Sequence, residues 1–128
     1  MPLALRLLQQ QFAVCRLGPA EEVPGWASAP GALTVLARTA GELSIVCDER
    51  VVPDGVRAER GFRTLMVCGP LPFDAVGILA GIAGALSAAA IPLLAISTFD
   101  TDYVLVRAEH LGTAITALRA AGCDVMAP

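Results

Sequence analysis

The chain has 128 residues, 55% of them hydrophobic and 16% charged, which suits one compact domain or two small ones sharing a core and argues against disorder. Its net charge is −3, and all nine basic residues are arginines spread from Arg6 to Arg119. With no basic patch and no aromatic-basic interleaving, nucleic acid is not an expected partner.

The N-terminal MPLALRLLQQQ has too short an apolar run for a signal peptide and no small-residue cleavage site. Residues 3–17 predict two strands. In the first, Leu3, Leu5 and Leu7 alternate with Ala4, Arg6 and Leu8; after Gln9-Gln10-Gln11, FAVCRL forms the second. Gly18-Pro19 ends it, and 20–31 is a loop that places Trp26 on one short helical turn. ALTVLAR (32–38) and LSIVCDE (43–49) predict a hairpin, closed off by Pro53-Asp54-Gly55.

Further on, FRTLMVC (62–68) predicts a strand broken by Gly69-Pro70-Leu71-Pro72. Asp74 is then the candidate N-cap of a helix to about Ala90, with Ile78, Ile82 and Leu86 as its apolar stripe. IPLLAIST (91–98) is apolar on both faces and reads as a central strand. Phe99-Asp100-Thr101 turns the chain into DYVLVR (102–107). A second helix follows from about Glu109 to Ala121, with Leu111, Ile115 and Leu118 inward and Gly122 as its stop. CDVM (123–126) is a last short strand. The second half therefore has the split βαβ, ferredoxin-like order. In the first half the first helix has shrunk to the Trp26 region and the second is missing.

No charged side chain lies between Asp74 and Asp100. This stretch exceeds the ~20 apolar residues that span a bilayer, and it contains Gly77-x-x-x-Gly81, a spacing used by paired membrane helices. Much of it is weakly hydrophobic Ala and Gly, however. Pro92 interrupts it, and no arginine cluster flanks it. The expectation is a buried helix and strand, with no membrane partner. The polar ends, Asp74 with Gly77 and Thr98-Phe99-Asp100-Thr101-Asp102, then come to one edge.

Helix-start N–H groups lack internal partners and suit a carboxylate or phosphate, and Gly77 would let a ligand approach the backbone. The plainer alternative is that Asp74 only caps and Gly77 only permits packing. In the hairpin, Asp100 and the threonines fit ordinary turn roles. Asp102 fits less well, because it begins an apolar strand; it is the best single candidate for an α-ammonium acceptor. Catalytic patterns are missing. His110 has no Cys or Ser partner, no Walker loop or dinucleotide fingerprint occurs, and only Asp100 and Asp102 could act as an acid–base pair. The chain is therefore not expected to be an enzyme. Cys15, Cys47, Cys68 and Cys123 lie far apart among apolar neighbours, and His110 is the only histidine. Neither a metal site nor a redox motif has its ligands, so no metal or cofactor is expected. Isolated apolar cysteines suit a reducing compartment, here the cytoplasm.

FAVCRL (12–17), ELSIVCDE (42–49), FDAVGILA (73–80) and ISTFDTDYVLV (96–106) together resemble ACT-domain proteins. The likeness is to the small bacterial group similar to one half of the CASTOR arginine sensors and to the regulatory domains of aspartate kinases. It implies an α+β chain in which an abbreviated ACT-like, β-rich half (1–58) precedes a ferredoxin-like βαββαβ ACT domain (59–128). It also implies non-catalytic binding of a small amino acid as a sensor or regulator. Carried over by motif position, the ligand residues are Gly77, Ile78, Thr98, Phe99, Thr101 and Asp102, and Asp74 joins them from the capping argument. Ala80 is neutral where a guanidinium sensor would want an acid, which argues against arginine. A homodimer is expected, with any regulated enzyme on a separate chain. The alternative is a ligand-independent interaction module that pairs with an enzyme of amino-acid metabolism.

Overall fold

Strand β1 runs without a break from Ala4 to Leu17, where the sequence suggested two strands parted by three glutamines. No Gly, Pro or Asn lies there to turn the chain. Its partners change instead. Ala4–Arg6 pair in parallel with β7 (Asp124–Met126), and Phe12–Leu17 pair antiparallel with β3 (Leu43–Asp48). The glutamines fall between the two ladders. The computed structural model describes residues 2–128, which form two units: 10–62, and 63–128 with the stretch up to Gln9.

In the unit formed by 10–62, β1 leads through a 3₁₀ turn (Gly25–Ser28) to β2 (Val35–Arg38) and β3. A second 3₁₀ turn (Glu49–Val51) then leads to β4 (Ala58–Val67). The strands pair in the order β2-β3-β1-β4. The first 3₁₀ turn is the one expected at Trp26, and the Glu49–Val51 turn stands where the sequence suggested no second helix. Ala13, Cys15, Leu43, Ile45 and Cys47 project from alternate positions of β1 and β3 into a small core with Ala27 and Val52, and Trp26 packs on its edge.

The other unit runs β4, α1 (Ile78–Ala88), β5 (Leu94–Ser97), β6 (Asp102–Arg107), α2 (Leu111–Ala120), β7. This is the βαββαβ order read from the sequence. Its strands pair as β7-β1-β4-β6-β5, so the start of β1 is inserted between the first and last strands of the module. The Asp124 N–H donates to the Leu3 carbonyl (2.8 Å), and the Cys68 N–H to that of Ala4 (2.9 Å). Ile82 and Leu86 from α1, with Ala114 and Leu118 from α2, cover Leu5, Leu65, Val67, Val104 and Val106. Each large side chain buried this way contributes about 1.5–3 kcal/mol.

Two expectations change. Helix α1 starts at Ile78, not near Asp74, because Gly77 takes a left-handed backbone (φ 86°) that helical geometry cannot continue through. Asp74 sits in an exposed turn upstream and does not cap the helix. Strand β5 is an edge strand bonded to β6 alone, and Leu94 and Ala95 are exposed. The doubly buried strand is β6, where Val104, Leu105 and Val106 are all buried. Among the described residues, no helix is long and apolar enough to cross a membrane.

Candidate ligand-binding site

The β4–α1 connection and the β5–β6 hairpin are fastened side by side. The Thr101 hydroxyl donates to the Val67 carbonyl at the end of β4 (2.6 Å), and the Leu71 N–H donates to the Asp100 carbonyl (2.7 Å). Gly69 makes this approach possible. A Cβ there would lie 3.0 Å from the Leu71 nitrogen and 3.2 Å from the Asp100 carbonyl oxygen. Above the junction the rings of Phe73 and Phe99 meet edge to face, with centroids 4.7 Å apart. Both are more than three-quarters exposed.

Between these segments lies a cavity of about 330 Å³, at the lower end of the ~300–1,000 Å³ usual for small-molecule sites. Six of the seven candidate residues line it: Gly77, Ile78, Thr98, Phe99, Thr101 and Asp102. Asp74 does not, because the true helix start lies further along the chain. At that start, the first helical hydrogen bond is from Gly81 N–H to the Gly77 carbonyl (2.9 Å), and no side chain caps the residues before it. The amides of Ile78, Leu79 and Ala80 therefore have no partner within the helix, and all three residues line the cavity at the positive end of an 11-residue helix.

Asp102, also part of the lining, is half-buried and accepts a 2.6 Å hydrogen bond from the Ser97 hydroxyl. Sequence reasoning passed over Ser97. The signal was the four-residue turn 98–101, which places residues 97 and 102 opposite each other in the ladder. The threonines are more committed than their chemistry suggested. Thr98 Oγ1 donates to the Thr101 carbonyl (3.0 Å), and Thr101 Oγ1 is spent on Val67. Each keeps only acceptor capacity, and their main work is to hold the turn. The cavity is lined by two carboxylates, Asp100 and Asp102, and by no cationic side chain. An uncapped helix start and an anchored carboxylate share one cavity, which suits a molecule carrying both an anionic and a cationic group.

Nucleophilic alternatives are weak. All four cysteines are free thiols. Burial, followed by the neighbouring Cys15, pushes Cys47 up to about 12, and burial also raises Cys15 and Cys123. These thiols stay protonated at neutral pH. Among the described residues, no group of His, Cys, Asp or Glu could hold a metal ion.

Residues 57–120 match the family model for the ACT domain. The chain belongs to the ACT-domain family. A second model, for an N-terminal domain, matches residues 10–55. The chain is 48% identical over 50 residues to the cytosolic arginine sensor for mTORC1, subunit 1, from Homo sapiens and from Bos taurus. That match covers 39% of this chain and only 15% of the length of those relatives. A crystal structure of an Agobacterium tumefaciens protein superposes with a TM-score of 0.93 at 33% identity, covering 100% of this chain and 95% of that one. The ligand-free regulatory subunit of aspartate kinase from Thermus thermophilus superposes with a TM-score of 0.60 at 12% identity, covering 91% and 95%, and shares the fold. With the family known, the αL glycine before α1 and the hairpin carrying Asp102 mark the edge of an ACT module.

Proposed function

We propose that this ACT protein is a non-catalytic, cytoplasmic sensor or regulator that binds a small amino acid in the cavity between the α1 start and the β5–β6 hairpin. The observation that carries this is the pairing of two opposite chemistries in one small cavity: the uncapped amides of Ile78, Leu79 and Ala80, and the Ser97-anchored carboxylate of Asp102. The α-carboxylate sits on the helix start and the α-ammonium on Asp102, while Phe99 and Ile78 form the apolar wall. Ala80 offers a guanidinium no acid at the helix start, and the modest cavity volume limits the ligand's own side chain to a small one. The protein acts as a homodimer and hands its signal to an enzyme on a separate chain.

A thermal-shift screen against the twenty amino acids, run on the wild type and on Asp102→Ala, tests the reading. A ligand at 100 times its dissociation constant adds about 2.7 kcal/mol of stability, a shift of several degrees in a domain of this size. One amino acid, or a few related ones, should raise the wild-type Tm and leave the variant unmoved. No shift with any of the twenty, or equal shifts in both proteins, would remove this site from consideration. The former result would favour the second reading, a ligand-independent interaction module. That reading draws on Phe73 and Phe99, two large apolar side chains exposed together at this cavity, and on the exposed Val76 in the same β4–α1 connection.

A further inference from the structure

A second cavity, of about 260 Å³, lies in the unit formed by 10–62, walled by Trp26, Pro30, Thr34, Asp48 and Arg50 among others. Its polar groups are arranged unevenly. Asp48, at the end of β3, has its carboxylate mostly withdrawn from solvent and fully engaged by Arg50. Oδ1 accepts from the Arg50 backbone N–H (2.9 Å) and from Nε (3.1 Å), while Oδ2 accepts from Nη2 (2.7 Å). The first consequence is that the only carboxylate in this cavity has little acceptor capacity left. The second is that the guanidinium is held by its Nε–Nη2 edge, and Nη1 makes no bond to Asp48. Its side chain remains 77% exposed.

The unused groups are therefore mostly donors. Among the described residues, neither the Trp26 indole N–H nor the Thr34 hydroxyl has a hydrogen-bond partner within the chain. Trp26 is half-buried on a one-turn helix and gives the cavity a flat apolar wall. A preorganised guanidinium fork loses less conformational entropy on binding than a free arginine would, and its planar edge matches a carboxylate. We infer that this cavity is a second small-molecule site, one that takes a small organic carboxylate with a flat apolar body. The carboxylate lies on the outer edge of Arg50, and the body lies against Trp26. The site is separate from the hairpin cavity and shares no lining residue with it.

Trp26 is the only tryptophan in the chain, so its fluorescence reports on this cavity directly. Titrating the intact protein with benzoate is expected to change Trp26 emission saturably. Benzamide, which keeps the ring and loses the charge, is expected to bind at least about tenfold more weakly, as is benzoate to Arg50→Gln. Arg50 is exposed, and an unchanged Tm will show that the variant is folded. Asp102→Ala should keep the full benzoate response. No saturable change up to ~10 mM benzoate, an equal response to benzamide, or undiminished binding to folded Arg50→Gln would overturn the proposal. Loss of the response in Asp102→Ala would overturn it as well, by tracing the signal to the other cavity.

Discussion

Both helices end through a left-handed residue, and the two residues differ. In α2 it is Gly122 (φ 95°), and the Cys123 N–H reaches back to the Leu118 carbonyl (3.0 Å). In α1 it is Ala90 (φ 58°), and the Ile91 N–H reaches back to the Leu86 carbonyl (3.0 Å). The closing geometry is the same, but a Cβ in the left-handed region costs roughly 1–2 kcal/mol, which glycine avoids. Part of the gain is returned as greater freedom of a glycine-bearing unfolded chain. Ala90→Gly is therefore expected to stabilise the protein by about 0.5–1 kcal/mol in urea unfolding. Unchanged or reduced stability would mean that Ala90 is not strained. The same scale governs Asp102. Sequence marked it because a carboxylate opens an apolar strand, and the Ser97 hydroxyl explains how that carboxylate is held in place.

Among the elements, β5 is the one whose environment composition misjudged. An uncharged run such as IPLLAIST reads as central, yet β5 bonds only to β6 and leaves its other edge open. Leu94 is 40% exposed there. An apolar open edge invites pairing with another strand, and a charge on it is a common natural block. If the homodimer forms across this edge, the wild type will sediment at twice the chain mass and Leu94→Lys as a monomer. A monomeric wild type would end the dimer proposal, and a dimeric Leu94→Lys would move the interface elsewhere. The edge position has a simple cause: the β4–β6 pairing takes the inner place, and the hairpin can only add β5 outside it.

For the whole molecule, the inserted strand matters most. A boundary near residue 59, drawn from the βαββαβ pattern, leaves out Leu5, which is fully buried in the core of that unit. It also leaves out the backbone of residues 3–6, which bonds to β7 and to Cys68. Losing the buried Leu5 side chain alone costs about 2–5 kcal/mol, against a total stability of roughly 5–15 kcal/mol for a domain. A fragment of residues 59–128 also exposes two strand edges, and it is expected to show no cooperative thermal transition by circular dichroism. A sharp melt from that fragment would show that the N-terminal strand is dispensable.

The sequence by itself determined the order of elements in the second half, because helix and strand periods are local and Gly122 is a local stop. It also determined the hairpin that carries Asp102, since a charge amid apolar alternation shows in the sequence. Gly77 was marked by its missing Cβ and again by the family resemblance, Ile78 by the resemblance alone, and the cavity they share with Thr98, Phe99, Thr101 and Asp102 is a product of folding. Only the tertiary structure decided that β1 is one strand serving two ladders, that β5 lies at an edge, and that Asp74 stands outside the cavity. It alone brought Trp26 and Arg50 to one pocket. These outcomes depend on which strand pairs with which and on the backbone angle at Gly77. Hydrophobic patterning reports whether a side chain is buried, and it carries no record of the partner that buries it.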